Sequence, residues 1–237
     1  MNKPKVSIVC VTRNAADCIG RCVNSILSQT YSNIELVIQD GNSTDGTQDI
    51  LRSYGDKIAY WKSEPDTGIY NAMNKALDKA TGEWVYFVGA DDALLPDFSL
   101  FVDKELEEKS AIYYANVIYK GVKTKGEVKP YEQAKHGIFH QTIVYPMQVF
   151  RKYRYDERYK VVADYALNLK LHGDKEFRFV YRDYTIAMYN DSGISSYSED
   201  EVFRKDHLQL VLHNFEWGVK LRFLFKTLKA KIKGGTK

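Results

Sequence analysis

Along the first hundred residues the hydrophobic positions change period several times, and each change marks an element. Val6 to Thr12 is a mostly apolar, β-branched run, as expected of a strand covered on both faces of a parallel sheet. From Ala15 to Gln29 the spacing becomes helical, with Ile19, Cys22, Val23, Ile26 and Leu27 along one stripe. Ile34 to Gln39 gives a second strand, and Asp45 with Gln48 resembles a capping box that opens a helix through Tyr54. Ile58 to Lys62 predicts a third strand, Gly68 precedes a helix over Ile69 to Ala80, and Glu83 to Val88 is a fourth strand. Pro96 takes the first turn of a further helix. This alternation predicts an α/β fold: a doubly wound, mainly parallel sheet flanked by helices, with ligands at the carboxyl ends of its strands.

After about residue 110 the rhythm weakens. Ala111 to Lys120 reads as a strand, and 121–135 is a polar stretch suited to a hairpin or mobile loop. Tyr159 to Leu171 holds a helix from Asp164, Phe177 to Tyr189 alternates like a strand, and Glu199 to Trp217 is helical. No internal repeat is found. Residues 1–217 are therefore expected to form one domain in two halves, about 1–110 and about 111–217, with 218–237 as a tail.

Composition narrows this picture. Hydrophobic residues at 44% and charged residues at 27% exclude disordered, collagen-like and low-complexity chains. The net charge of +3 hides an asymmetry, because 218–237 carries seven cations and no acid while the remainder has 27 basic against 31 acidic residues. A general nucleic-acid binder would build its basic surface into the fold, so nucleic acid is not an expected partner. The tail interleaves Trp217, Val219, Leu221, Phe223, Leu224, Phe225, Leu228 and Ile232 with its cations, an interfacial helix pattern suited to an anionic membrane surface. A solvated helix packed on the domain is the alternative. Three cysteines crowded at 10, 18 and 22 have no second cluster and read as reduced thiols of a cytosolic protein. No signal peptide is expected. No eighteen consecutive residues are apolar, so the expected location is cytoplasmic, with at most a peripheral seat at the inner face of the membrane.

Candidate chemistry gathers at the strand ends. Thr12 ends the first strand, Asp40 the second, and Asp91-Asp92 the fourth. A nucleotide across that edge would find Asp40 for its base, Asp91 for its ribose and Asp92 for a divalent cation on its phosphates. Strand-end aspartates also cap turns, but three strand ends together favour a ligand. Neither Gly-x-Gly-x-x-Gly after the first strand nor Gly-x-x-x-x-Gly-Lys-Ser/Thr occurs, so a diphosphate needs a metal ion or basic groups such as Arg13.

Four segments together resemble a known family: Val-Ser-Ile-Val-Cys-Val-Thr-Arg-Asn at 6–14, Gln-Asp-Gly-Asn-Ser-Thr-Asp-Gly-Thr at 39–47, Ser-Glu-Pro-Asp-Thr-Gly-Ile-Tyr-Asn-Ala-Met-Asn-Lys-Ala at 63–76, and Ala-Thr-Gly-Glu-Trp-Val-Tyr-Phe-Val-Gly-Ala-Asp-Asp at 80–92. In order and spacing they are similar to family-2 glycosyltransferases of the GT-A fold, densely over about 5–100 and more thinly to about 197. The resemblance implies a nucleotide-sugar donor, usually a UDP-sugar, transfer with inversion, and Mn²⁺ or Mg²⁺. It places Thr12, Arg13 and Asn14 near the nucleotide, Asp40 on the uracil, Asp91 on the ribose and Asp92 on the metal. The family's Asp-x-Asp stands here as Ala90-Asp91-Asp92, without its first carboxylate. Asp66, Asn71, Asn74 and Lys75 fall on the segment that borders the donor diphosphate and sugar. Asn71 and Asn74, three apart on one helix face, are positioned for both amides to reach one ligand.

Val162-Ala163-Asp164-Tyr165-Ala166-Leu167 resembles the family's Glu-Asp-x-x-Leu motif, whose Asp is the general base; this implies Asp164 as base, since Ala163 replaces the preceding acid. A helix N-cap is its other reading. His140-Gln141 resembles a segment facing the acceptor side, and Asp191-Ser192-Gly193-Ile194-Ser195 a flexible loop of the family. The expected protein is a metal-dependent inverting glycosyltransferase extending a bacterial-type surface glycan on a lipid carrier such as a polyprenol. The rivals are a catalytically silent nucleotide-sugar or glycan-binding module, for which Asp164 would be useless, and a sugar-nucleotide pyrophosphorylase. The latter should carry a Gly-rich basic loop where this chain has Arg13-Asn14-Ala15-Ala16.

Overall fold

The computed structural model describes residues 3–124, 126–190 and 200–234. Four parallel strands, β1 (Val6–Thr12), β2 (Ile34–Asp40), β3 (Tyr60–Ser63) and β4 (Trp84–Gly89), are linked by α1 (Ile19–Leu27), α2 (Thr47–Ser53) and α3 (Ile69–Leu77). The chain then adds β5 (Ala93–Leu94), α4 (Asp97–Glu105), β6 (Ala111–Tyr119), β7 (Val122–Lys123), α5 (Pro130–His136), β8 (Ile143–Pro146), α6 (Met147–Lys152), α7 (Ala163–Gly173) and β9 (Arg178–Tyr189). Helices α8 (Glu201–Asn214) and α9 (Trp217–Gly234) close it. The described strands make one sheet in the order β3-β2-β1-β4-β8-β6-β9-β5, with β7 paired to β6 alone.

The α/β architecture is the expected one, with a sheet that is parallel in its first half and mixed in its second. β8 runs antiparallel to both β4 and β6, so β6 returns to the direction of β4, and β9 is parallel to β6. β5 follows β4 by only a few residues yet pairs with β9, which requires the sheet to curl back on itself. The ends of β4, β6 and β9 therefore meet at one edge.

Alternate residues of each strand feed two cores. Ile8, Cys10, Leu36, Ile38, Trp84 and Tyr86 pack under α1, α2 and α4. Val9, Val37, Val85 and Phe87 pack under α3 and the later helices. This two-sided covering explains why β1 reads as a nearly continuous apolar run.

Several local expectations are corrected. The capping box does not close: Asp45 accepts from Thr47 N at 3.0 Å and Ala16 N at 2.9 Å, Gln48 Nε2 donates to Ser43 O at 2.6 Å, and Gly46 at φ 99° takes the N-cap position. The polar stretch after β6 does begin with the expected hairpin, β7, but Pro130–His136 forms a helix, α5, started by the Pro at its first turn. The 199–217 helix divides at Phe215 into α8 and α9.

The tail packs in part on the domain. Phe223 of α9 is buried with the α3-side core, Val219 lies against that core, and the Arg222 guanidinium sits 3.7 Å over the Tyr131 ring of α5. Trp217, Leu221, Phe225 and Leu228 are exposed. Among the described residues no helix is long and apolar enough to cross a membrane.

Candidate active site

Parallel register puts the first candidates side by side. Thr12 pairs with Asp40, and Val11 with Gly89, so the residues beyond β1, β2 and β4 share one edge. Asp40 is fully buried and heavily engaged: Oδ2 accepts from Ser43 N at 2.9 Å and Ser63 Oγ at 2.5 Å, and Oδ1 from Ser43 Oγ at 2.5 Å. Its first duty is to fold the loop after β2. Thr12 Oγ1 and Gln39 Nε2, by contrast, are buried without a hydrogen-bond partner, an unmet polar demand that a bound molecule would satisfy. Asn14, at φ 50°, donates its N–H to Ser43 Oγ at 2.7 Å and accepts from Thr44 N at 2.9 Å, so it ties the β1 and β2 loops together. Arg13 is exposed and packs beside Gly41, where an added Cβ would collide with Asp66. Arg13, Gly41 and Asp66 thus stand together at the edge.

Asp91 and Asp92 turn the corner after β4. A Cβ on Gly89 would lie 2.7 Å from Asp92 Oδ2 and 2.9 Å from Asp91 Oδ1, so the absence of a side chain there makes room for two carboxylates. Asp92 is buried, accepting from Gly89 N at 3.0 Å and Asn190 N at 2.8 Å, with the Gln141 side chain as a further partner. Burial and the charge of Asp91 push its pKa up to about 6 against the lowering effect of these donors. Two hard oxygen ligands of like charge, crowded together, are a donor set that a divalent cation fits. Among the described residues no cluster of three or more His, Cys, Asp or Glu surrounds them.

The α3 segment departs from expectation. Asp66 Oδ1 accepts from Gly68 N at 2.9 Å, which fixes the turn into α3. The amides of Asn71 and Asn74 do converge, but on Glu157: Asn71 Nδ2 lies 3.2 and 3.1 Å from its two oxygens and Asn74 Nδ2 3.1 Å from Oε1. Asn74 also donates to Tyr155 O and accepts from Tyr155 N, so it is a brace rather than an open ligand group. Lys75 points to Pro65 O and Glu64. Burial raises the pKa of Glu157, but hydrogen bonds from Asn74, Asn71 and Thr67 outweigh it and hold the carboxylate below its usual range.

Asp164 lies in the first turn of α7, with Val162 at the N-cap, so it does not cap its helix. Its Oδ1 is 2.5 Å from the hydroxyl of Tyr70 on α3, which is also 2.8 Å from Val161 O. Burial and the charge of Asp164 push the Tyr70 phenol well above its usual pKa, so it remains a proton donor to the carboxylate. Nothing in the sequence singles out Tyr70, which stands there within the helix predicted over Ile69 to Ala80.

His140, expected on the acceptor side, is turned into the core. It is buried, stacked on Phe87 at 4.9 Å between centroids, with Nε2 2.8 Å from Tyr155 Oη; burial lowers its pKa. Apolar rings on several sides explain the inward turn. Gln141 sends its carbonyl to Tyr86 Oη at 2.7 Å and its side chain to Asp92. The segment Asp191 to Ser195 lies outside the described residues.

Comparison with known proteins bears on the family and the fold. The family description "Glycosyl transferase family 2" matches residues 7–182. A PGL/p-HBAD biosynthesis glycosyltransferase of Mycobacterium bovis is 33% identical over 219 residues, covering 86% of this chain and 84% of the relative. TarS of S. aureus residues 1–349, solved with UDP-GlcNAc, superposes with a TM-score of 0.69 at 20% identity over 93% of this chain and 71% of that one; of a longer TarS chain, this one spans 43%. The mannosyltransferase PcManGT of Pyrobaculum calidifontis, solved with GDP-Man and Mn²⁺, gives 0.65 at 19% identity over 90% of this chain and 64% of that one.

Proposed function

The chain belongs to glycosyl transferase family 2 and is a glycosyltransferase, and on that premise we propose that it transfers a sugar, with inversion, from a UDP-sugar to a glycan or lipid-linked glycan acceptor in the building of a surface polysaccharide. The UDP-GlcNAc bound by TarS and the biosynthetic name of the mycobacterial relative support the donor and the setting. The observation that carries the mechanism is the Asp164–Tyr70 pair.

Inverting transfer is one in-line displacement. As the acceptor oxygen forms its bond to the anomeric carbon, the bond from that carbon to the diphosphate breaks and UDP leaves on the opposite side. Asp164 takes the acceptor hydroxyl's proton; with Oδ1 held by the Tyr70 hydroxyl, the receiving atom is Oδ2. Tyr70 fixes the carboxylate's rotation, and the α3 brace of Asn74 on Tyr155 fixes the surroundings of Tyr70, whose ring lies 5.2 Å from that of Tyr155. Thr12, Arg13 and Asp66 line the donor's edge. Asp91 and Asp92 would hold a divalent cation, Mn²⁺ or Mg²⁺, which when bound offsets the charge of the leaving diphosphate.

The exposed stripe of α9, Trp217, Leu221, Phe225 and Leu228, with Lys220 and Lys229 beside it, supports a peripheral seat on an anionic membrane surface facing the acceptor's lipid.

The test pairs UDP affinity with transfer on Asp164→Asn, which keeps size and removes the base. Transfer should fall about 10²–10⁴-fold with donor binding unchanged, and NMR of the wild-type product should show the inverted anomer. Normal transfer by the variant would move the base elsewhere.

A further inference from the structure

Three aromatic rings stand at the site edge outside the machinery described above. Tyr119 ends β6, Tyr189 ends β9, and the two are register partners. Phe139 immediately precedes the turn that carries His140 and Gln141. The ring centroids form a closed triangle: 5.4 Å from Tyr119 to Phe139, 5.4 Å from Tyr119 to Tyr189 and 5.6 Å from Phe139 to Tyr189. These are core-like spacings, yet Phe139 is 41% exposed and both tyrosines are only partly buried.

The triangle borders the chemistry. Asn190, next after Tyr189, donates its N–H to Asp92, and Gln141, two residues after Phe139, bonds the same carboxylate through its side chain. Consecutive Cα atoms are only about 3.8 Å apart, so the backbones of Tyr189 and Phe139 stand one and two residues from groups that bond Asp92. They stand on the β6–β9 side of it, while Thr12, Arg13 and Asp66 occupy the β1–β2 side assigned to the donor.

We propose that Tyr119, Phe139 and Tyr189 form a stacking platform for the terminal pyranose ring of the acceptor. The inference rests on the transferase reading, which places a second sugar beside the donor. A pyranose presents on one face a group of C–H bonds with slight positive charge, matched to the negative face of an aromatic ring, while its hydroxyls remain at the rim. The ammonium of Lys120 stands 5.2 Å from the Tyr119 centroid, within the range at which a cation is drawn to an aromatic face. Stacking would set the height of the acceptor ring above the edge and leave its hydroxyl to be turned toward Asp164.

Saturation-transfer NMR on the full chain with UDP, using the methyl pyranosides of glucose, galactose and N-acetylglucosamine as probes, tests this directly. Saturation should reach the ring protons of one pyranose face for at least one probe. Phe139→Ala should weaken that contact at least about tenfold, the equivalent of roughly 1.4 kcal/mol, and Phe139→Trp should retain it. Phe139→Leu keeps an apolar side chain without a π face and should lose it too, even if the Ala variant folds poorly. UDP affinity, unchanged in the Leu variant, reports on the donor site separately, so loss of UDP binding in the wild type would strike the transferase reading and not the platform. No saturation of any pyranoside by the wild type, equal contact in Phe139→Leu, or octyl glucoside contacted through its alkyl chain rather than its ring would overturn the platform.

Discussion

Asp92 is closed to water and stands against Asp91, so its carboxyl holds its proton more tightly in the fold than in the open chain. With a folded pKa of about 6 against about 3.9 unfolded, the sign is fixed: its contribution to stability is present below about pH 4 and is lost as pH rises through 6. Without divalent cation, wild type relative to Asp92→Asn should lose roughly 2 kcal/mol between pH 4 and pH 7. Denaturant melts of both proteins across that range measure it, and a constant difference would reject the assignment. The aspartates were legible because strand ends in a parallel sheet share an edge, and Asp164 because its motif is local. Tyr70 and Glu157 were not: each acts on a partner 94 or 86 residues away, which no spacing rule connects. For Asn71 and Asn74 the shared face was read correctly, and the ligand they meet is the protein's own carboxylate.

Elements with a strong period were legible within a few residues, as β1 and α1 show. β8, with four residues, and α6, with six, were not, since neither is long enough to display a period of its own. α9 shows the opposite case, one helix with two apolar faces. Val219 and Phe223 meet the domain, while Trp217, Leu221, Phe225 and Leu228 do not. Deleting the tail would therefore strip a buried phenylalanine from the core. A cleaner test is Trp217→Ser with Phe225→Ser, which should leave the melting transition unchanged and abolish sedimentation with anionic vesicles. Each Lys or Arg near such a surface contributes about 1 kcal/mol, so replacing Lys220 and Lys229 with Gln should weaken binding in a salt-dependent way. Vesicle binding that survives both variants would return α9 to a purely packed role.

Across the molecule, the two ends of the sheet are held by different means. At the end away from the site, buried Glu35 of β2 accepts from Ser7 Oγ of β1 at 2.5 Å and from Thr81 N at 2.6 Å, and pairs with Lys5 at 2.5 Å. Burial raises its pKa, but Lys5, Ser7 and Thr81 prevail and hold it at about 2. That stability is present above the unfolded value and disappears as pH falls from about 4.3 toward 2. Glu35→Gln should be less stable by about 2 kcal/mol at pH 7, after discounting the partly exposed Lys5, and the gap should close in acid; a gap that persists at pH 2 would refute the linkage. At the site end the sheet is closed by Asn190 reaching Asp92 across 98 residues. A ribosome releases the β1–β4 half long before residue 190 emerges. Until then the Asp92 carboxyl lacks the donor that Asn190 supplies, so the order of synthesis itself delays the moment at which this corner is complete.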